Sequence, residues 1–98
     1  MDVKKIQAMI KHLQEGGLAI VMDDADREAE GDLVGLASEA TPEKVNFMTK
    51  YARGLMCVPM APEVAERLKL PQMTADNSDP FGTAFTISVD HHSTTTGI

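Results

Sequence analysis

The order of its segments constrains this chain most: amphipathic and uniformly apolar stretches alternate along it, with glycine or proline between them. Val3, Ile6, Ile10 and Leu13 recur at helical spacing among Lys4, Lys5, Lys11 and His12. That predicts an amphipathic helix stopped at Gly16-Gly17 by a left-handed cap. Residues 18–22 (LAIVM) read as a short buried strand and residues 32–37 (DLVGLA) as a second one. A second helix is expected from Thr41 as N-cap, with Pro42 in its first turn and Glu43 at the positive end of its dipole. Val45, Met48 and Ala52 make its apolar stripe, and Gly54 stops it. Residues 55–60 (LMCVPM) read as another buried strand, with Pro59 pushing it toward a sheet edge or a strand end. Pro62 opens a short helix whose face is Val64, Ala65 and Leu68. Residues 70–82, with Pro71, Pro80 and Gly82, read as a loop. In residues 83–90, Phe85, Ile87 and Val89 alternate with Thr86 and Ser88, the cleanest strand signal in the chain. Interleaved strands and helices predict an α/β or α+β class, a mixed β-sheet with flanking helices.

Charge and composition exclude several functions. With 98 residues the chain has room for one small domain. A net charge of −6 argues against nucleic acid, which needs a basic stripe, and against an anionic membrane surface. No apolar run approaches the roughly 20 residues of a membrane span. The charged N-terminus does not read as a signal peptide, and Cys57, the single cysteine, has no partner for an internal disulfide. The expected compartment is therefore the reducing cytoplasm.

Residues 22–33 (MDDADREAEGDL) stand apart. Six of them are carboxylates (Asp23, Asp24, Asp26, Glu28, Glu30 and Asp32) and Arg27 is their single base. Like charges this close repel one another. A solvated acidic connection between two strands is one reading. A calcium loop beginning at Asp26 has glycine at its sixth place, Gly31, but Ala37 where a bidentate glutamate is required, so that reading fails. Magnesium, which takes one or two protein carboxylates plus waters and substrate oxygens, offers a second reading in which a cation offsets the repulsion. Cys57, among Leu, Met and Val, reads as a buried structural thiol. His12 reads as helix surface, His91 and His92 as a solvated turn, and the methionines as core filler.

The run from DREAEGDL (26–33) through GLMCVP (54–59) to GTAFT (82–86) and TTTG (94–97) closely resembles the N-terminal half of the 3,4-dihydroxy-2-butanone 4-phosphate synthases of riboflavin biosynthesis. The resemblance covers nearly all of the chain after the first helix. It implies a lyase that converts D-ribulose 5-phosphate into formate and 3,4-dihydroxy-2-butanone 4-phosphate through a metal-stabilised enediolate. It further implies Mg²⁺ or Mn²⁺ as cofactor, a mixed-sheet fold, and a homodimer with sites near the subunit interface. On the same resemblance Glu28 matches the metal ligand, and Arg27 with Glu28 the substrate-binding pair. Asp32 matches a further substrate contact, Glu30 lies in the same loop and orients the sugar hydroxyls, and Glu30, Asp32 and Cys57, the last near the site, are the catalytic candidates the resemblance implies. Thr95 and Thr96 match the region near the substrate phosphate. The resemblance ends before the family's arginine-containing phosphate stretch, its metal-ligating histidine and a further essential acid. The expectation is thus that residues 1–98 form the N-terminal part of a single domain, inactive alone. The alternative is a non-catalytic interaction module that pairs with a full-length subunit.

Overall fold

The structure is a computed structural model that describes residues 2–96. The chain divides into two units, Met1–Val58 and Pro59–Ile98.

In the first unit, helix α1 (Val3–Gln14) starts where the Asp2 side chain accepts the Lys5 N–H at 3.2 Å, satisfying one of the free donors of the first turn. It ends as the glycine pair requires. Gly16 takes φ +88° and donates to Leu13 O at 3.0 Å, while the Gly17 N–H reaches back to His12 O at 2.9 Å. This paired closure leaves fewer carbonyls of the last turn unsatisfied. Strands β1 (Ala19–Met22) and β2 (Gly31–Val34) then pair antiparallel, with Ala19 opposite Val34 and Met22 opposite Gly31. Residues directly opposite share a face, so Ile20 and Leu33 lie on one side and Val21 and Asp32 on the other. Between α1 and β1 a groove of about 300 Å³ is lined by Lys5, Ile6, Met9 and the whole of β1.

Helix α2 (Pro42–Phe47) has Thr41 as its N-cap, accepting the Lys44 N–H at 3.2 Å. One continuous α-helix to Gly54 was the expectation. The turn over Met48–Ala52 instead widens to a π-helix, closed by Arg53 N–H to Met48 O at 3.1 Å. Thr49 gives a local reason: its hydroxyl lies 3.1 Å from Val45 O and 3.0 Å from Asn46 O, competing with the backbone for those carbonyls. Arg53 and Gly54, at φ +60° and +70°, end the segment.

Residues 55–58 of the first unit and 59–60 of the second form no strand, and Leu55, Met56, Val58 and Met60 are exposed. In the second unit, α3 (Pro62–Arg67) carries Val64 and Ala65 half-buried, with Leu68 exposed just beyond it. The alternating segment 83–90 forms no full strand either. It meets residues 71–73 through one antiparallel bridge, Gln72 to Thr86, with Met73 N–H to Phe85 O at 2.9 Å and Ile87 N–H to Pro71 O at 3.1 Å.

The chain is thus α+β, and among the described residues its one sheet is the β1–β2 pair, with no parallel pairing. None of the described residues is buried. The readings of 55–60 as a buried strand, of Cys57 as a buried thiol and of the methionines as core filler are corrected: Cys57, Met22, Met56, Met60 and Met73 are exposed. The reason is common to all. An apolar run states that a surface is needed to cover it, but a strand forms only where a second strand supplies its hydrogen bonds.

Candidate functional site: the acidic loop between β1 and β2

The loop joins the end of β1 to the start of β2, so its shape depends on how residues 23–30 close a hairpin. The ladder runs one step beyond the strands, with Asp23 N–H to Glu30 O at 3.2 Å. Within the loop, Asp24 O accepts from Arg27 N–H at 3.0 Å and from Ala29 N–H at 3.3 Å. Ala29 takes φ +55°, a left-handed conformation that costs a residue with a Cβ about 1–2 kcal/mol. Such a conformation persists where its surroundings over-determine it.

Asp23 provides those surroundings. Its Oδ1 accepts the Glu30 N–H at 2.7 Å, and its Oδ2 accepts the Glu28 N–H at 3.0 Å and Arg27 Nη1–H at 3.1 Å. Two backbone N–H groups on either side of a left-handed residue form a concave anion seat, and the Asp23 carboxylate fills it. These donors hold the Asp23 carboxyl below its usual range, the Glu30 N–H contributing most. Partial burial opposes them. Arg27 also reaches Glu28, Nη2 to Oε1 at 3.5 Å, so one guanidinium bridges two carboxylates.

The repulsion within the acidic run is therefore relieved in two ways. Asp23 is neutralised by donors of its own loop. Asp24, Asp26, Glu28, Glu30 and Asp32 are exposed, where water screens them.

Of the site residues expected from the sequence, Arg27 and Glu28 are brought into contact. Glu30 adjoins them through Asp23, and Asp32 stands opposite Val21 in β2. Cys57 is exposed on the segment that follows the π-helical turn. Thr95 and Thr96 belong to the second unit, exposed just after a turn in which Thr94 N–H meets His91 O at 3.0 Å. Sequence reasoning counted Asp23 as one more carboxylate and missed its structural part. No local signal marked it, since the turn bonds aspartate commonly makes reach about two residues on, and these reach five and seven.

Among the described residues no three His, Cys, Asp or Glu side chains converge as ready ligands for a metal ion. The donors present are hard carboxylate oxygens, the type Mg²⁺ takes, and that ion needs only one or two from protein. Glu28 fits such a role in its chemistry, with the rest of the coordination left to water and substrate.

Known proteins resemble this chain over nearly all of its length. A sequence profile of 3,4-dihydroxy-2-butanone 4-phosphate synthase matches residues 7–98. A 3,4-dihydroxy-2-butanone 4-phosphate synthase of Oceanobacillus iheyensis is 58% identical over 97 residues, covering 99% of this chain and 47% of that protein. The riboflavin biosynthesis protein RibBA of Bacillus subtilis is 50% identical over 93 residues, covering 95% of this chain and 23% of its own length. Among solved structures, a 3,4-dihydroxy-2-butanone 4-phosphate synthase in complex with two magnesium ions superposes with a TM-score of 0.87 at 44% identity, over 95% of this chain and 44% of the other. The two-domain synthase RibBX of A. baumannii gives 0.75 at 42% identity, over 86% of this chain and 24% of the other. The chain spans about half the length, or less, of the relatives it matches. With the profile running from within α1 to Ile98 and across the whole acidic hairpin, the chain belongs to the 3,4-dihydroxy-2-butanone 4-phosphate synthase family.

Proposed function

We propose that this chain supplies the acidic-loop part of a riboflavin-biosynthetic lyase site that converts D-ribulose 5-phosphate into formate and 3,4-dihydroxy-2-butanone 4-phosphate. The observation that carries the reading is the family match across the hairpin that holds Arg27, Glu28, Glu30 and Asp32. The two products together have the elemental composition of the substrate, so the reaction needs no external oxidant or reductant.

Arg27 and Glu28 bind the sugar phosphate, and Glu28 is the metal ligand. Glu30 and Asp32 orient hydroxyls and exchange protons with them, a task for which a positioned carboxylate is suited. Cys57 is a further catalytic candidate, and Thr95 and Thr96 bind near the phosphate. A bound Mg²⁺ or Mn²⁺ supplies a Lewis acid for the negative charge that develops on the ketose oxygens. The two units are parts of one domain of the family, which acts as a cytoplasmic homodimer.

Exposure of the whole loop from Asp24 to Asp32 leaves water free to reach any substrate held there, so the 98 residues alone turn over little or none. The test is formate release from D-ribulose 5-phosphate with magnesium and then with EDTA. It is run on this chain and on the Oceanobacillus protein. Expected is magnesium-dependent formate from the longer protein and none from the 98 residues. Turnover by the short chain would refute the need for further cover, and no formate from either would refute the reaction.

A second reading is favoured by the exposure of Ile20 at 71%, Leu55 at 74% and Met73 at 62%. Apolar surface of this kind suits a non-catalytic module that pairs with a full-length subunit. Co-purification with a tagged full-length subunit supports that reading, and separate elution excludes it.

A further inference from the structure

We infer that Asp23 is a positioning residue of this site: one carboxylate, by holding the backbone N–H groups of Glu28 and Glu30 and the Arg27 guanidinium together, sets how the loop presents Glu28. The inference deepens the proposed function and rests on its assignment of Glu28 to the metal.

Three observations converge on it. Both Asp23 oxygens are used, Oδ1 for Glu30 at 2.7 Å and Oδ2 for Glu28 and Arg27 at 3.0 and 3.1 Å. Ala29, between the two bonded amides, holds a left-handed conformation with no glycine to ease it. Arg27 is shared between two carboxylates, 3.1 Å from Asp23 and 3.5 Å from Glu28. Asp23 therefore takes part of the guanidinium that also pairs with Glu28. It also ties down the main chain on which the Glu28 carboxylate rides. Groups one step removed from a metal commonly matter in this way, their loss weakening affinity about 10- to 100-fold.

Asparagine tests the idea sharply because it keeps the shape and halves the acceptors. Whichever way its amide turns, an NH₂ faces an N–H donor, so either the Glu30 bond or the Glu28 and Arg27 pair is lost. The experiment records backbone amide spectra of the full 98-residue chain as itself, Asp23→Asn and Asp23→Glu, and titrates each with Mn²⁺ as a paramagnetic probe. In the unsubstituted chain the Glu30 amide proton is expected far downfield, as its short bond to a carboxylate requires. Mn²⁺ is expected to broaden residues around Glu28 first. In Asp23→Asn the Glu30 or Glu28 amide moves upfield, and the Mn²⁺ concentration needed for half broadening rises about tenfold or more.

The Lys5 and Lys44 amides, capped by Asp2 and Thr41, serve as controls for folding elsewhere. Should Asp23→Asn lose those signals too, Asp23→Glu decides, since it keeps the charge but reaches the donors from a longer stem. It is expected to lose amide pattern and Mn²⁺ affinity together, and affinity kept with an altered pattern would overturn the inference. Unchanged amides in Asp23→Asn would overturn the inference. Altered amides with unchanged Mn²⁺ affinity would reduce Asp23 to a loop fastener and overturn its bearing on the site. No broadening near Glu28 in the unsubstituted chain would instead refute the metal role of Glu28, a failure of the proposed function that the Glu30 amide distinguishes from a failure of Asp23 to hold the loop.

Discussion

Gly17→Ala sets two effects of opposite sign against each other at the junction that delivers β1 to the acidic loop. The His12 ring lies over Gly17, its Nε2 2.9 Å from Leu18 O, the residue before β1. A Cβ on residue 17 would overlap the Nε2, Cε1 and Cδ2 atoms of that ring, so the imidazole has to leave. The ring is the free end of an exposed side chain, and its displacement costs chiefly the hydrogen bond, a net of about 0.5–1.5 kcal/mol. Against this, Gly17 is outside the left-handed region, so alanine fits its backbone and reduces the freedom of the unfolded chain. Such exchanges stabilise by about 0.4–1 kcal/mol. The two nearly cancel, and Gly17→Ala alone is expected to change local stability by less than about 1 kcal/mol, on the destabilising side. In a His12→Ala background nothing is displaced, and the same exchange becomes stabilising. The coupling between the two sites is then about 1 kcal/mol, or about fivefold in an opening equilibrium. Amide exchange at Gly16 and at residue 17, whose N–H groups close the end of α1, reads that equilibrium directly. An effect of Gly17→Ala that is equal in both backgrounds would refute the reasoning.

Thr41→Ala removes the acceptor for Lys44 N–H and is expected to cost about 1 kcal/mol in α2, seen as faster exchange at Lys44 and lower helicity. Asp23 has its carboxyl pKa lowered in the folded loop, so the stability it contributes is fully present above the ordinary aspartate value and is lost as pH falls through the depressed one. Followed by the Glu30 amide shift, the loop is expected to keep its closed form below the pH at which a free aspartate titrates. A midpoint at the ordinary aspartate value would contradict the donor network.

Capping and turn chemistry was legible in the sequence because it acts over a few residues. Thr41 with Pro42 announced α2, and Gly16-Gly17 announced the closure of α1, each carrying its own hydrogen-bond partners within reach. The two strands flanking the acidic run were legible for the same reason, since a hairpin pairs neighbours. The family, too, could be recognised from residues alone, in DREAEGDL above all. The segments at 55–60 and 83–90 misled because their apolar character is a statement about partners distant in the chain.

What the sequence by itself determined, then, was the local elements, the charge of the hairpin loop and the family to which it belongs. Only the tertiary structure decided what that charge does. Six carboxylates look equivalent in one dimension, but the closing of β1 on β2 and the left-handed turn at Ala29 set Asp23 against two backbone amides and Arg27, while the other five face water. The physical reason is that hydrogen bonds between Asp23 and residues five and seven positions on exist only once the chain has folded back on itself. No propensity or spacing rule confined to neighbours encodes that distance.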